Sequence, residues 1–409
     1  MSNIIAFPQT EQQLNDELLS PKSDVFYGLP GRIVETIDQH TEAHPMAVLS
    51  NVMVMFGNVT GGNPHFLVEH TKHHTNLNVG QVGRTSKARK GTGNSTPKKM
   101  YESIDRDWQK KHITSGLSSG EGLIYSVRDA QAGSGDPGVT DKRLMVIEEE
   151  FSQALKTMSR DGNILSQTLR DAWDGKDLHP LTKTSPIAAT SPHISIIGHI
   201  TSIELQRYLK EVEMANGLAN RFIWVHVHRT KLIPSPKGVP PETLEPLVNE
   251  LRAAVTFAQS AGEMTRNPAA EELWAAKYAE LSEGKPGLSG GITSRAEAQV
   301  LRLSMIYALM DQSAVIRPEH LNAALAFWDY SDRSVSLIFR DQLGDPNVDR
   351  VWDYLTTLGK LGRAMIHNIL RRNASKQEVD RICEVLVALQ WAEWTTLNGH
   401  DVLVPKKRK

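Results

Sequence analysis

Three stretches of the chain, "RLMVI", "HISIIGHIT" and "NRFIWVHVH", are apolar almost continuously rather than on alternate residues, and this limits the fold more than any other feature. A strand that alternates needs one covered face; a strand that does not must be covered on both. Helical patterns, "NILSQTLRDAW" and "IELQRYLKEV", lie between these runs. Strands alternating with helices predict an α/β fold, a parallel sheet with helices on both faces. Upstream, "HFLVEH" and "NLNVGQV" read as two further strands, and Thr96 with Pro97 opens a helix over "TPKKMYESIDRDWQKK".

The chain has 409 residues, a formal net charge of -1 and a single cysteine. That length accommodates several domains, and the neutral balance leaves any preference for nucleic acid to local patches. Cys383 sits in "RICEVLVAL" and is expected to be a small buried hydrophobe. One cysteine excludes an intrachain disulfide or a cysteine metal framework, which fits a reducing cytosol. The first residues lack the basic and apolar regions of a signal peptide, and no apolar run reaches about 20 residues. The expectation is a cytoplasmic protein with no membrane association.

Residues 1–25 read as a flexible polar lead-in, 26–60 as helices packing on the core, and 61–235 as the α/β core. After the Pro-rich "KLIPSPKGVPPE", 236–344 contain amphipathic helices and are expected to form a helical domain. Residues 345–405 read as three helices and a hairpin turning at Asn398-Gly399, which favours a winged helix. Residues 406–409 form a basic tail.

The chemistry begins at "QVGRTSKARKGTG". Phosphate binding needs converging backbone N–H groups, a helix N-terminus behind them and a cation beside them. Gly83 at the turn, Lys90 as cation, Gly91 for close approach and Thr92 as a hydroxyl for Mg²⁺ supply these in order. Arg84, Thr85, Ser86 and Lys87 lie along the loop between them. The pattern departs from G-x-x-x-x-G-K-S/T, because Arg89 stands where the second glycine belongs and Gly91 separates Lys90 from Thr92. A side chain there limits how closely the backbone wraps a phosphate. The alternative is a solvated basic loop that meets nucleic-acid phosphate.

"RLMVIEEEF" places Glu148, Glu149 and Glu150 at the end of a buried strand, downstream of the loop. Nucleotide hydrolysis needs an acid there for Mg²⁺ and a residue to orient water. Glu148 is favoured for the metal and Glu149 as base, with Glu121 of "SSGEGLI" a rival base; three acids opening a helix also suit its dipole without any catalytic role. His199 or Thr201, in "IIGHIT", would end a neighbouring strand near the γ-phosphate, although His199 fits equally well as a buried histidine satisfied by its surroundings. Arg221 of "GLANRF" could act as an arginine finger from a subunit edge, or serve as an ordinary ion-pair partner.

These residues, with "TEAHP", "SRAEAQVLRLSMIYAL" and "AALAFWDY", give the chain a resemblance to a family of P-loop ATPase domains of poorly characterised function. Its members occur in phage, plasmid and integrated-element replication proteins, often fused to primase domains. The resemblance covers roughly residues 25–340. It implies a RecA-like P-loop NTPase core, similar to replicative helicases, and hence a homo-oligomeric ring. In the family the R-K-G-T form of the loop is usual, which removes much of the objection to Arg89. It further implies ATP and Mg²⁺ as cofactors, with Lys90 and Thr92 as nucleotide ligands and acids among Glu148, Glu149 and Glu150 for the metal and water. No primase module is read before the core, so a separate primase would supply priming. Arg295 and Arg302, seven residues apart on one helix, could contact phosphate or form structural salt bridges.

The expected partner is DNA, single-stranded or forked. Lys176 and Lys183 in "WDGKDLHPLTKTSP" are candidates on a channel-facing loop, and Arg371, Arg372, Lys376 and Arg381 on the winged helix. Two functions compete: an ATP-hydrolysing, helicase-type DNA motor of a mobile element, and a non-motor nucleic-acid-binding regulator with a nucleotide switch or vestigial nucleotide site.

Overall fold

Five strands form the parallel sheet that the apolar runs predict. The computed structural model describes residues 19–83, 91–131, 135–180, 187–209, 213, 216–285, 287–339, 346–370, 374–388, 391–397 and 399–406. Two units are distinguished, Met1–Lys285 with Gly291–Ile338, and Pro286–Gly290 with Phe339–Lys409. In chain order the first has helices α1 (Gly28–Asp38) and α2 (Pro45–Val59), strands β1 (His65–Val68), β2 (Thr71–His74) and β3 (Asn78–Gly83), and helices α3 (Ser95–Glu102) and α4 (Arg106–Lys111). Strand β4 (Ile113–Thr114), α5 (Gly120–Tyr125), β5 (Arg143–Glu148), α6 (Phe151–Met158), α7 (Leu165–Trp173), β6 (His193–Thr201), α8 (Ser202–Tyr208) and β7 (Ile223–His226) follow. The unit closes with α9 (Pro241–Ser260), β8 (Glu263–Arg266), α10 (Pro268–Ser282), α11 (Ala296–Met310), β9 (Val315–Ile316) and α12 (Pro318–Ile338).

The central sheet has the order β4-β5-β6-β3-β7, parallel throughout. Its edges are blunted, as exposed strand edges require. β4 is two residues long, and at β7 the His226 N–H donates to Ser334 Oγ (3.1 Å) while Tyr330 Oη donates to the His226 carbonyl (2.7 Å), both from α12. "HFLVEH" is a strand, but not of this sheet: β1 pairs antiparallel with β2 and parallel with β8, in a second sheet of order β2-β1-β8-β9. The helix expected over "TPKKMYESIDRDWQKK" is two, because Asp105 accepts the Trp108 N–H (2.9 Å) and starts α4 afresh.

Helix α2 is buried on nearly every side. Pro45 takes its first position and His44 caps it, Nδ1 accepting from the Met46 N–H at 3.2 Å. One side packs on the sheet, and its apolar residues share one core with α1, α9, α11 and α12. The helices read as a domain of their own over 236–344 therefore complete the same core as the sheet up to Ile338. The other sheet face is set by two glycines: a Cβ at Gly80 would lie 2.3 Å from the Trp224 ring, and one at Gly198 2.7 Å from Phe151. Aromatic rings fill the space that these glycines leave.

Among the described residues no helix is long and apolar enough to cross a membrane. In the second unit, α13 (Pro346–Leu358), α14 (Arg363–Ile369) and α15 (Lys376–Ala388) precede an antiparallel hairpin, β10 (Ala392–Leu397) and β11 (His400–Pro405). Leu361, between α13 and α14, exchanges both backbone hydrogen bonds with Leu403 of β11 (2.9 and 2.8 Å), so the hairpin gains a third extended segment. Cys383 is buried in this unit's core as expected, and burial pushes its thiol up to about 11.

Asn58 of α2 donates to the carbonyls of Leu144 (3.0 Å) and His193 (3.2 Å) and accepts from Trp108 Nε1 (2.8 Å). Replacing it strands three buried groups. Asn58→Ala is expected to destabilise the chain by about 3 kcal/mol, read from the urea midpoint. Beside it, His193 Nε2 lies 2.7 Å from the Gly57 carbonyl, and burial pushes this imidazole down to about 3, an effect that the hydrogen bond to Gly57 only partly opposes. The unfolded chain takes up this proton near pH 6.5 and the folded chain only near 3. Stability should therefore decrease as pH is lowered from about 6.5 to about 3, by on the order of 5 kcal/mol from this residue, and His193→Gln should flatten the acid limb of a stability-versus-pH curve.

Candidate functional site

All five strands are parallel, so their carboxyl ends meet at one edge, where open α/β sheets bind ligands. β3 delivers Gly83 to the middle of that edge, and the chain resumes as a 3₁₀ turn, Gly91–Asn94, leading into α3. A Cβ on Gly93 would lie 3.2 Å from Ala43 Cβ and 3.6 Å from Ala47 Cβ, so this turn rests on the start of α2. Arg84, Thr85, Ser86, Lys87, Arg89 and Lys90 lie outside the described residues, and for Gly91 and Thr92 only the backbone is described.

β6 separates β3 from β5 by two strand spacings, about 10 Å across the sheet, and Glu148 pairs with Gly198, three residues (about 10 Å along the strand) before the Thr201 that pairs with Gly83. β5 ends in Glu148, which is buried. Its Oε1 accepts the backbone N–H groups of Gly116 (2.6 Å) and Leu117 (2.7 Å) from the loop after β4. Gly116 has φ +91°, a left-handed backbone that glycine adopts at little cost, and this turn aims both N–H groups at the carboxylate. Glu149 and Glu150 are exposed, Glu150 at the N-cap of α6. Glu121 is exposed in the first turn of α5.

On β6, His199 is buried and stands in register with Gln81 of β3. Gln81 Nε2 lies 3.1 Å from the Ala47 carbonyl, 2.9 Å from Ser50 Oγ and 2.8 Å from Asn51 Oδ1, all on α2. Thr201 stands in register with Gly83 itself. Thr201 Oγ1 accepts the Glu204 N–H (3.2 Å) and the Thr201 N–H donates to Glu204 Oε2 (3.4 Å), closing a capping box at the start of α8, and Thr201 Oγ1 also donates to Oε2 (2.9 Å). Ser152 Oγ, on α6 directly after the acid strand, donates to Glu204 Oε1 (3.1 Å). Burial opposes ionisation of Glu204, but the hydrogen bonds from Thr201 and Ser152 outweigh it and hold the carboxyl below its usual range. Glu204 and Ser152 were not among the expected site residues. The spacing T-x-x-E at "TSIE" was the available signal for Glu204; nothing local marks Ser152.

Arg221, Arg295 and Arg302 come together, but at the opposite edge. Arg221 precedes β7 and pairs with both oxygens of Asp174, Nε at 3.1 Å and Nη2 at 2.7 Å, while Nη1 donates to the Gly217 carbonyl. Arg302 Nη1 donates to the carbonyl and Oδ1 of Asn76, just before β3, at 2.8 Å each. The six residues of β3 span about 20 Å. Within one chain these arginines therefore do not line the Gly83 edge. Lys176 is exposed and bonded to Asp171 (2.8 Å). Lys183, Arg371 and Arg372 lie outside the described residues; Lys376 and Arg381 are exposed on α15.

Among the described residues no three His, Cys, Asp or Glu side chains gather to hold a metal. Glu148 nevertheless fits one ligand position for a hard cation: a carboxylate is an oxygen donor with about four lone-pair sites, of which the two N–H groups occupy two. Compared with protein-family models and with curated proteins, the chain matches none.

The capping box gives a test of how the edge is held. Glu204→Ala is expected to lower stability by about 1 kcal/mol at neutral pH, measured as a shift in the guanidinium midpoint. The same contribution in the unmodified chain should be lost as pH falls through the folded pKa of Glu204, because that pKa is depressed.

Proposed function

We propose that this chain is an ATP-hydrolysing, DNA-associated motor with a RecA-like P-loop core, a helicase-type protein of phage, plasmid or other mobile-element replication. The observation that carries the reading is convergence at one sheet edge: the basic loop leaves β3 at Gly83, Thr201 stands beside it, and Glu148 ends the strand beyond. A phosphate loop on one strand and a metal-binding acid on another strand of the same parallel sheet is the arrangement nucleotide hydrolysis needs.

In this reading Lys90 and the loop backbone bind the β- and γ-phosphates of ATP, and Thr92 and Glu148 hold Mg²⁺. The bound metal neutralises charge on the phosphate oxygens. Glu149, adjacent and exposed, orients water, with Glu121 as the rival base. His199 and Thr201 lie on the strand between loop and acid and sense the terminal phosphate. Arg221 acts from a neighbouring subunit of a ring, since in its own chain it lies at the far edge of the sheet. The second unit, with three helices and a hairpin, serves as a winged helix whose Arg371, Arg372, Lys376 and Arg381 meet DNA phosphate, alongside Lys176 and Lys183 of the first unit. The protein acts in the cytoplasm, with priming supplied by a separate primase.

One observation favours the alternative, a non-motor nucleic-acid-binding regulator: Arg221 is committed to a bidentate pair inside its own chain. The same experiment separates the two. ATP turnover is measured with and without single-stranded DNA for the unmodified chain and for Lys90→Ala. The expected outcome is DNA-stimulated turnover that the substitution reduces by about 100-fold or more. ATP binding with no turnover in either condition would establish the switch and sink the motor.

A further inference from the structure

The amino edge of the central sheet carries a cluster of cations that outnumbers the carboxylates beside it among the described residues. Trp173, at the end of α7, is overlaid by three guanidinium groups: Arg302 at 3.7 Å from its ring centroid, Arg295 at 5.4 Å and Arg221 at 5.8 Å. The pairing can be followed group by group. Lys176 takes Asp171 and stands 3.8 Å from Asp174, and Arg221 takes both oxygens of Asp174. Arg295 stands 3.6 Å from the already engaged Asp174 and feels Glu297 two residues along. Among the described residues Arg302, the most buried of the three, donates only to neutral oxygens, those of Asn76 and the Trp173 carbonyl (2.8 Å).

A buried guanidinium without a carboxylate is costly. Burial pushes Arg302 down to about 9; Asp174 opposes that fall and the neighbouring arginines add to it. His73 beside them is pushed down to about 4, by burial first and then by Arg302. Among the described residues, three buried atoms of this cluster also lack a hydrogen-bond partner: Arg302 Nε, Trp173 Nε1 and His73 Nδ1. Trp173 and Arg302 are each only 2% exposed, so water does not satisfy them from bulk. Arg295, half-buried, gives the cluster an open side.

We propose that the amino edge of the sheet is a second phosphate-binding site, in which a phosphate group enters beside Arg295 and is bound by the guanidinium groups gathered on Trp173. Planar guanidinium forks match phosphate oxygens two at a time, which favours phosphate over a spherical anion. Asp174 is then the competitor of the ligand, since it occupies the same forks. The phosphate belongs to a free polyphosphate or nucleotide, or to a nucleic-acid backbone, and the two sources share this chemistry. The site lies at the opposite edge from Gly83 and does not depend on the loop.

The test removes the loop site first, in a Lys90→Ala background, so that failure here is separate from failure of the ATPase reading. Pyrophosphate and a short single-stranded oligonucleotide are titrated separately, with tryptophan fluorescence as readout and Trp173→Phe in the same background to assign the signal. At least one ligand is expected to bind with a Trp173-dependent change. Arg295→Ala should weaken binding about tenfold, the loss of one charged contact. Asp174→Asn, checked for folding by its melting curve, should tighten it, which a purely structural ion pair would not do. Pyrophosphate binding alone identifies a polyphosphate or nucleotide ligand; tighter oligonucleotide binding identifies a backbone. Absence of binding by both, or binding indifferent to Arg295→Ala and Asp174→Asn, overturns the proposal.

Discussion

Two side-chain amides hold the central helix to the central sheet, and the rest of the first unit is arranged around that attachment. Helix α2 is apolar enough to be buried between the sheet and the later helices, but apolar packing alone leaves a helix free to slide. Asn58 fixes one end by reaching the Leu144 and His193 carbonyls at the amino ends of β5 and β6. Gln81 fixes the other, reaching Ala47, Ser50 and Asn51 from the strand that releases the basic loop. A buried amide without partners would cost a few kcal/mol, so this placement of α2 is favoured by the bonds of Asn58 and of Gln81 Nε2, although Gln81 Oε1 is left without a partner among the described residues. The loop depends on the same helix twice, since it leaves from β3 and returns at Gly93 against Ala43 and Ala47.

The edge chemistry follows from register. In a parallel sheet paired residues share a face, so Gln81 and His199 stand together on the α2 side. Glu148 pairs with Gly198 and takes the other face, where the turn at Gly116 and Leu117 meets it. Thr201, Glu204 and Ser152 link the end of β6 to the start of α6. The acid strand and the polar strand are thereby held as one piece, so the spacing between their ends is set by the fold.

What could be read from the sequence was what is local. "RLMVI", "HISIIGHIT" and "NRFIWVHVH" were legible as strands because an apolar run of that length, bounded by turn residues and rich in β-branched side chains, suits a strand covered on both faces. The buried cysteine, the amphipathic helices and the hairpin at Gly399 were legible on similarly local grounds. Partners distant in sequence were not: β1 is as plain a strand as β3, yet pairs with β2 and β8, and β4 and β9 are two residues each, too short for any period. Arg295 and Arg302 were visible as one helix face. That the face would close on Trp173, more than a hundred residues earlier, depended on packing that no local pattern records.

The two edges of the sheet differ in charge, and that difference bears on Arg221. At the carboxyl edge a buried carboxylate is held by two backbone N–H groups; at the amino edge guanidinium groups outnumber carboxylates among the described residues. Arg221 is the group that could serve outside its own chain, but leaving Asp174 would strand a half-buried carboxylate, a loss of about 3 to 5 kcal/mol where such a pair is broken at one partner only. Arg295 lowers that cost, because it stands 3.6 Å from Asp174 Oδ1. An arginine beside the pair therefore makes the Asp174 charge less dependent on Arg221 than an isolated ion pair would be.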